Sequence, residues 1–324
     1  MSVYAQPGST GLSATSARAI GGAPIWRADG EPFHPTEVAC TRHDLCTHPL
    51  LQMPRLRRLA MSLAGTSKVK FSRPNRKKGS AFHTLSEAEA KKDINTTFDQ
   101  IEEPGTWVAL YFLEDDPDYG ALLRDTLDRM KPQVEPHDPG MHGYSLFLFI
   151  ASPPTVTPFH IDRENNFNVQ VMGRKHLRIW QANDRDAVPD VAIEDYFVHD
   201  SLRSLHYRDE LDARALDFNV GPGEGVYIPS TAGHYVTTEE DGAWVQPGDR
   251  ISVSMAMTYF TEATVRKSRA YLLNEFLRNR FSARPLSPGR SDVVDHLKQP
   301  FARALLLSRK VMQGKAVPRG MQGH

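Results

Sequence analysis

The stretch Thr157-Pro158-Phe159-His160-Ile161-Asp162 holds the residues best suited to chemistry. Side chains two apart on a strand share a face. His160 and Asp162 at a strand end therefore present an imidazole and a carboxylate to one point. Two His and one carboxylate on one face of an octahedral ion suit Fe(II) and leave three positions open. The third ligand has to come from elsewhere in the sheet. His234 is the best placed, 72 residues beyond Asp162 and after GPGEGVYIPSTAG, which reads as a turn, an apolar strand and another turn. Should it point away, His199 and His206 are the substitutes. A lone His-x-Asp is common by chance, and a strand His is more often a hydrogen-bonded structural residue. Lys175 shifts that balance. It stands thirteen residues after Asp162, just past a turn at Gly173 in NFNVQVMGRKHLRIW. There it starts a second strand and can point into the same cavity. A buried lysine needs an anion, which a dicarboxylate cosubstrate supplies; in a turn it would be an ordinary solvated residue.

The elements that must position these groups are short. From Tyr144 the chain reads YSLFLFI, FNVQVM, HLRIW, GVYIP, HYVTT and ISVSMAMTYF, separated by Pro153-Pro154, Gly173, Gly221-Pro222-Gly223 and Pro247-Gly248. Many short strands with Gly/Pro punctuation predict a sandwich, barrel or jelly roll. Upstream, the pattern after Pro49 predicts a helix reaching Ala64, with Leu56, Leu59, Met61 and Leu63 on its apolar face and Gly65 as its stop. A helix over 84–101 opens on a capping box from Thr84 to Glu87. Trp107 to Leu113 reads as a strand and 119–130 as a short helix. Beyond Thr264 the chain is helical again, over 264–281 and 291–312. The organisation is a mobile N-terminus (1–25), a mixed region packing on the core (26–140), a mainly β core (141–262) and C-terminal helices (263–324).

Composition narrows the function classes. Lys+Arg and Asp+Glu are each 39 in 324 residues, 40% of residues are hydrophobic and 24% charged. A nucleic-acid-coating protein and global disorder are excluded. Two cysteines exclude a disulfide scaffold and fit a reducing compartment. No secretory-type stretch or window of 18 apolar residues occurs, so the expectation is a cytoplasmic protein with no membrane partner. Arg55 to Lys78 carries nine Lys/Arg and no acid, while 102–138 holds ten acidic residues against three basic and can offset it. Residues 263–324 carry thirteen Lys/Arg against three Asp/Glu. These runs read as solvated faces rather than nucleic-acid sites. Cys40, His43, Cys46 and His48 crowd into CTRHDLCTH, but C-x5-C is not a zinc knuckle and no second half-site follows. The cap and entry of a helix is the simpler reading.

TPFHIDRENNFNVQVMGRKHLRIW followed by GPGEGVYIPSTAGHYV resembles the JmjC/cupin-like group of Fe(II)- and 2-oxoglutarate-dependent oxygenases, the group of the asparaginyl hydroxylase that modifies hypoxia-inducible factor. The resemblance runs from about Tyr144 to Phe260. It implies a double-stranded β-helix (jelly-roll) core with flanking helices. It also implies iron held by His160, Asp162 and His234, and 2-oxoglutarate held at its distal carboxylate by Lys175 and Thr157. Tyr111 falls where the family places a tyrosine on that carboxylate, and Asn166 matches an asparagine of the cosubstrate region. Relatives use O2 and release succinate and CO2 while hydroxylating or demethylating a protein side chain, amino acid or metabolite. Ala232 and Gly233 stand where many relatives carry bulky aromatics, and Ser254 replaces an asparagine, so the pocket should differ in shape. Arg250 is the alternative carboxylate partner. The family also implies dimerisation through C-terminal helices, for which Tyr271, Leu272 and Phe276 offer an apolar face. The alternative to an enzyme is a cupin-like sensor that holds a metal or small molecule without turnover.

Overall fold

The structure, a computed structural model, describes residues 24–72, 77–80, 94–99, 101, 104–238, 250–313 and 320–321. Ahead of the core come β1 (Ile25–Arg27), β2 (Ala39–His43), α1 (Met53–Ser62), β3 (Val69–Ser72), α2 (Ile94–Asp99), β4 (Trp107–Leu110) and α3 (Pro117–Val134). The core follows as β5 (His142–Ala151), β6 (Thr155–His160), β7 (Asn165–Met172), β8 (Lys175–Ile179), α4 (Asp190–His199), β9 (Leu216–Val220), β10 (Glu224–Ile228), β11 (His234–Thr238) and β12 (Ser252–Phe260). Two helices end the chain, α5 (Glu262–Phe281) and α6 (Asp292–Gln313). The capping box expected at Thr84 to Glu87 lies outside the described residues.

An eight-stranded sheet of order β1-β2-β10-β7-β12-β5-β4-β3 faces a four-stranded sheet of order β6-β11-β8-β9. From β5 the chain alternates between them, keeping only β8 and β9 consecutive in one sheet, and every pairing is antiparallel. This is a jelly roll, mainly β with flanking helices. β1 to β4 extend its larger sheet at both edges.

Strand alternation explains which way the large sheet faces. In β12, Val253, Met255, Met257 and Tyr259 point outward, and in β7 so do Phe167, Val169 and Val171. They pack under α1 (Leu56, Leu59) and α3 (Leu123, Leu127, Met130) as one core. The residues between them, Ser252, Ser254, Ala256 and Thr258 in β12 and Asn166, Asn168 and Gln170 in β7, therefore point between the sheets. An apolar plug of Leu177, Ile179, Val220, Val226 and Ile228 closes part of that space.

Several details differ from the sequence expectation. Met61 is 43% exposed, and the buried face of α1 is Leu56, Leu59 and Ala60. β4 stops at Leu110 because Phe112 adopts a left-handed conformation (φ 56°) that turns the chain into a 3-10 segment. Within the basic stretch, Arg55 pairs with Asp118 and Lys68 with Asp115, both from the acidic segment (2.6 Å for the latter). Tyr271 and Leu272 are buried within their own chain, Tyr271 stacking on Phe197 of α4 with centroids 5.8 Å apart. Exposed apolar residues gather on α6 (Val293, Leu297, Phe301 and Leu307), with Phe281 exposed at the end of α5. Among the described residues no helix is long and apolar enough to cross a membrane.

Gly173 makes the β7–β8 turn with φ +65°, and a Cβ there would lie 2.4 Å from the Ile251 carbonyl oxygen. Gly30 has φ +80° with nothing within 4 Å. Gly173→Ala should cost about 1–3 kcal/mol and lower Tm by roughly 3–10 °C, visibly more than Gly30→Ala, in thermal unfolding followed by circular dichroism. Equal losses in the two variants would mean that backbone conformation alone, not the contact with β12, governs this turn.

Candidate metal and cosubstrate site

The site grows out of one irregularity. β11 pairs with β6 as His234↔His160 and Val236↔Thr157, so two residues of β6, Pro158 and Phe159, oppose the single Tyr235. β6 is an edge strand, where a proline without an N–H and a bulge are both tolerated. The freed outer edge is not left bare, since Phe159 N–H donates to the Lys78 carbonyl (2.9 Å). The extra residue restores parity. Thr157 and His160, three apart, lie on the same face as His234 and Val236. On the other side β11 pairs with β8 as Val236↔Leu177 and His234↔Ile179, so Lys175 shares that face too.

His160, Asp162 and His234 bring one ligand atom each to within 4.8 Å of one another, the one such trio among the described residues. His234 Nε2 lies 3.7 Å and His160 Nε2 4.0 Å from the Asp162 carboxylate. Each histidine donates its Nδ1–H to a backbone carbonyl two residues upstream, Pro158 (2.8 Å) and Ala232 (3.0 Å). A carbonyl can only accept, so each ring presents Nε2 as a lone-pair donor to the shared point. Asn166 donates from Nδ2 to Asp162 (3.4 Å), and its Oδ1 is buried with no described partner. Two imidazole nitrogens and a carboxylate on one side of a point fit an octahedral divalent ion with open positions.

Lys175 enters the same chamber. It is 8% exposed, and its Nζ donates to Ser254 Oγ (2.5 Å) and lies 5.4 Å from the centroid of the Phe149 ring. No carboxylate is among these partners, and burial pushes its pKa down to about 7. Such an ammonium fits the far carboxylate of a dicarboxylate ligand. Arg250, the alternative, is exposed. Tyr111 continues the face of β4 that carries Ala109, which pairs with Phe149, and its ring packs on Phe147 (5.3 Å) and Phe149 (6.2 Å). It thus stands beside the ring that Lys175 overlies. Thr157 is half-buried on the Lys175 face.

The loops carrying Asp162 and His234 are tied to each other. Thr231, at φ 67°, donates its N–H to the Asp162 carbonyl (2.9 Å) and accepts at Oγ1 from Lys267 of α5 (2.7 Å). Ser230 N–H donates to Asn165 Oδ1 (2.9 Å). A Cβ on Gly233 would lie 2.7 Å from Val188 and 2.9 Å from the Phe159 ring. These two side chains explain why the residue before His234 is small.

The other candidates go elsewhere. His199, at the end of α4, faces Glu275 of α5 (3.7 Å), and His206 is exposed. His43 is buried against the Gln170 carbonyl (2.9 Å), and His48 accepts at Nδ1 from Leu50 N–H as a helix cap. Cys40 is exposed on β2, so CTRHDLCTH assembles no metal site. Phe149, Lys267 and Thr231 were missed by sequence reasoning. The alternation of aromatic and aliphatic residues in YSLFLFI marks Phe149 as facing opposite Leu148; nothing local marks a threonine for a left-handed backbone.

Residues 133–258 match the family model of the JmjC domain. That stretch is similar in sequence to the JmjC domain and is carried here on the jelly-roll strands. Among solved structures the chain is similar to YcfD from Escherichia coli, with 12% identity over 89% of this chain and 67% of that one and a TM-score of 0.43. It is also similar to YcfD described as a ribosomal oxygenase (13% identity, 81% and 60% covered, TM-score 0.38). A third match is YcfD in complex with cobalt and 2-oxoglutarate (16% identity, 81% and 61% covered, TM-score 0.38). The chain thus spans about 60–67% of the length of the YcfD chains it matches.

Lys175→Met should weaken 2-oxoglutarate binding about ten- to a hundredfold, since a charge-assisted pair is worth about 1.5–3 kcal/mol. The sign with pH follows from the lowered value. Below about pH 7 the ammonium is present in the free protein and affinity is full. Above it, binding must take up a proton, and affinity falls with rising pH until the pKa of the bound form is passed. Anaerobic calorimetry across pH 6–9 should show that decline in the wild type and a flatter profile in the variant. Unchanged affinity in Lys175→Met would move the carboxylate contact elsewhere.

Proposed function

We propose that this chain is a 2-oxoglutarate-dependent dioxygenase that hydroxylates a substrate C–H bond, with demethylation the outcome when that carbon sits on nitrogen. In this reading His160, Asp162 and His234 hold Fe(II), Lys175 and Thr157 hold the distal carboxylate of 2-oxoglutarate, and Tyr111 and Asn166 complete the cosubstrate wall. Iron bound there supplies, with 2-oxoglutarate and O2, the oxidative decarboxylation to succinate and CO2 that puts one oxygen atom into the substrate. The protein's own residues do the rest. The two Nδ1–H anchors hold both imidazoles in the ligating tautomer. Lys175 orients the cosubstrate from the closed end of the chamber, and Leu177, Ile179, Val226 and Ile228 keep water from it. Asp162 is the least buried of the three ligands, its side chain 28% exposed against 9% and 4% for the histidines. The substrate therefore approaches from the Asp162 side. The observation that carries the proposal is a three-ligand face and an ammonium without a carboxylate in one chamber.

The test is succinate formation from 2-oxoglutarate after anaerobic loading with Fe(II) and exposure to air. The wild type should turn over slowly without substrate and faster with peptides or metabolites that fit. His160→Ala should lose more than about 100-fold, since changes one shell further out already cost 10–100-fold, with its circular dichroism retained. No succinate from the wild type, or succinate from His160→Ala, overturns the assignment.

A homodimer through the C-terminal helix belongs to the same proposal. Val293, Leu297, Phe301 and Leu307 are each more than 60% exposed and fall on one face of α6. An apolar stripe about 21 Å long is self-complementary when two copies cross antiparallel. Light scattering should give a dimer at micromolar concentration and a monomer for Leu297→Glu/Phe301→Glu; a wild-type monomer rejects it. A cytoplasmic location is also part of this reading, supported by the free thiols of Cys40 and Cys46.

A further inference from the structure

Where α5 and α6 meet the start of β5, a cavity of about 320 Å³ is lined by Arg266, Arg269, Arg303, His142, His296 and Glu262. Three guanidiniums face one carboxylate, which leaves two positive charges before either imidazole is counted. Among the described residues none of the three arginines is ion-paired. Arg269 is 8% exposed, and its Nε donates to the Met321 carbonyl (3.0 Å). Its two Nη groups have no described partner. Its pKa is pushed down by burial and then by the charge of Arg303. Two like charges close together, one of them out of water, cost free energy unless an anion lies between them. Arg266 senses the buried Asp138 on its other side, but that carboxyl is itself pushed up by burial and accepts from Asn165 (3.2 Å).

The walls are fixed by bonds that do not involve the guanidiniums. Gln299 Nε2 donates to the Arg266 carbonyl (3.1 Å) and the Asp295 carbonyl (2.9 Å), which sets α6 against α5. Ser268 Oγ donates to the Gly320 carbonyl (2.8 Å) and holds the 320–321 segment over α5. His296 Nδ1–H donates to the Asp292 carbonyl (2.8 Å), which leaves Nε2 as the ring atom turned away from its own helix. The neighbouring cavity of about 550 Å³, which shares Arg266, is different in kind: Arg185, Arg266, Lys267 and Arg290 there meet Asp138, Asp190, Asp292 and Asp295, with Arg185 paired to Asp190 (2.9 Å).

We infer that the cavity between α5 and α6 is an anion site, separate from the cosubstrate chamber, built for the phosphate group of a small molecule. Guanidinium forks match phosphate oxygens two at a time. A cavity with room for about ten waters takes a pyrophosphate or a small phosphorylated compound, not a polymer.

The test is calorimetric titration of the full chain with pyrophosphate, and separately with orthophosphate, in a phosphate-free buffer. Saturable binding is expected, weakened about tenfold or more in Arg303→Gln, whose side chain holds no structure. Arg290→Gln, in the neighbouring cavity, should bind as the wild type does. Because 2-oxoglutarate is also a dianion, Lys175→Met should bind pyrophosphate normally, and excess 2-oxoglutarate should not displace it. No saturable binding of either probe, equal binding in Arg303→Gln, or loss of binding in Lys175→Met would each overturn the inference. Succinate formation by Arg303→Gln should equal that of the wild type, so this result stands apart from the oxygenase assignment.

Discussion

Two facing sheets of a jelly roll ordinarily close on apolar side chains, whereas here the space between them holds a lysine whose one hydrogen-bond acceptor among the described residues is a hydroxyl. Moving that ammonium out of water costs a few kcal/mol. The offset has to come from elsewhere, and it comes from the far side of the large sheet. Each fully buried aliphatic side chain there contributes about 1.5–3 kcal/mol. Leu148, Ile150, Val169, Met255 and Met257 alone, all at 0% exposure, exceed the lysine's cost. Strands β5, β7 and β12 thus carry two jobs on alternate residues, stability outward and chemistry inward. The helices α1 and α3 cover the outward face so that the inward one is released from making a core.

Alternation then imposes a difficulty on the small sheet. Thr157 and His160 are three apart, so a regular strand would put one of them in the chamber and the other against Trp180 and Tyr235. The bulge at Pro158 and Phe159 removes the conflict. It also turns Phe159 outward into the cluster with Trp180, at a centroid distance of 5.1 Å. That ring is one of the two groups that leave no room for a side chain at Gly233. One inserted residue therefore sets the face of His160, the packing behind it and the size of the residue preceding His234.

Much of this was legible in the chain. SVSMAMTYF and NNFNVQVM alternate small or polar with large apolar residues, and this reads directly as strands with unlike faces. Gly173 with the basic and apolar residues after it marks the hairpin that delivers Lys175. His234 was traceable because a turn, a strand and a turn account for the chain before it. What escaped was set by tertiary contact. Met61 fits a helical apolar face on spacing alone, but the core lies on the side of Leu56, Leu59 and Ala60. Tyr271 and Leu272 look like a free surface until α4 is found beside them. The partnership of Lys175 with Ser254 joins strands 79 residues apart, and only the register of β7 with β12 could have shown it.

The placing of the His160, Asp162 and His234 trio also depends on α5, which local sequence gives no reason to connect with it. Asp162 and His234 leave from different strand ends, so two loops must hold their spacing. Thr231 bridges those loops by donating to the Asp162 carbonyl, and does so from a left-handed backbone that threonine disfavours. The strain persists because both ends are tied, one through that N–H and the other through Lys267 reaching its hydroxyl from α5. The carboxylate and the distal imidazole are in this way positioned by backbone and hydroxyl bonds made without an ion. The helix that stacks on α4 and carries α6 is consequently part of the frame of the site, so the C-terminal helices have a role within the monomer before any role between copies.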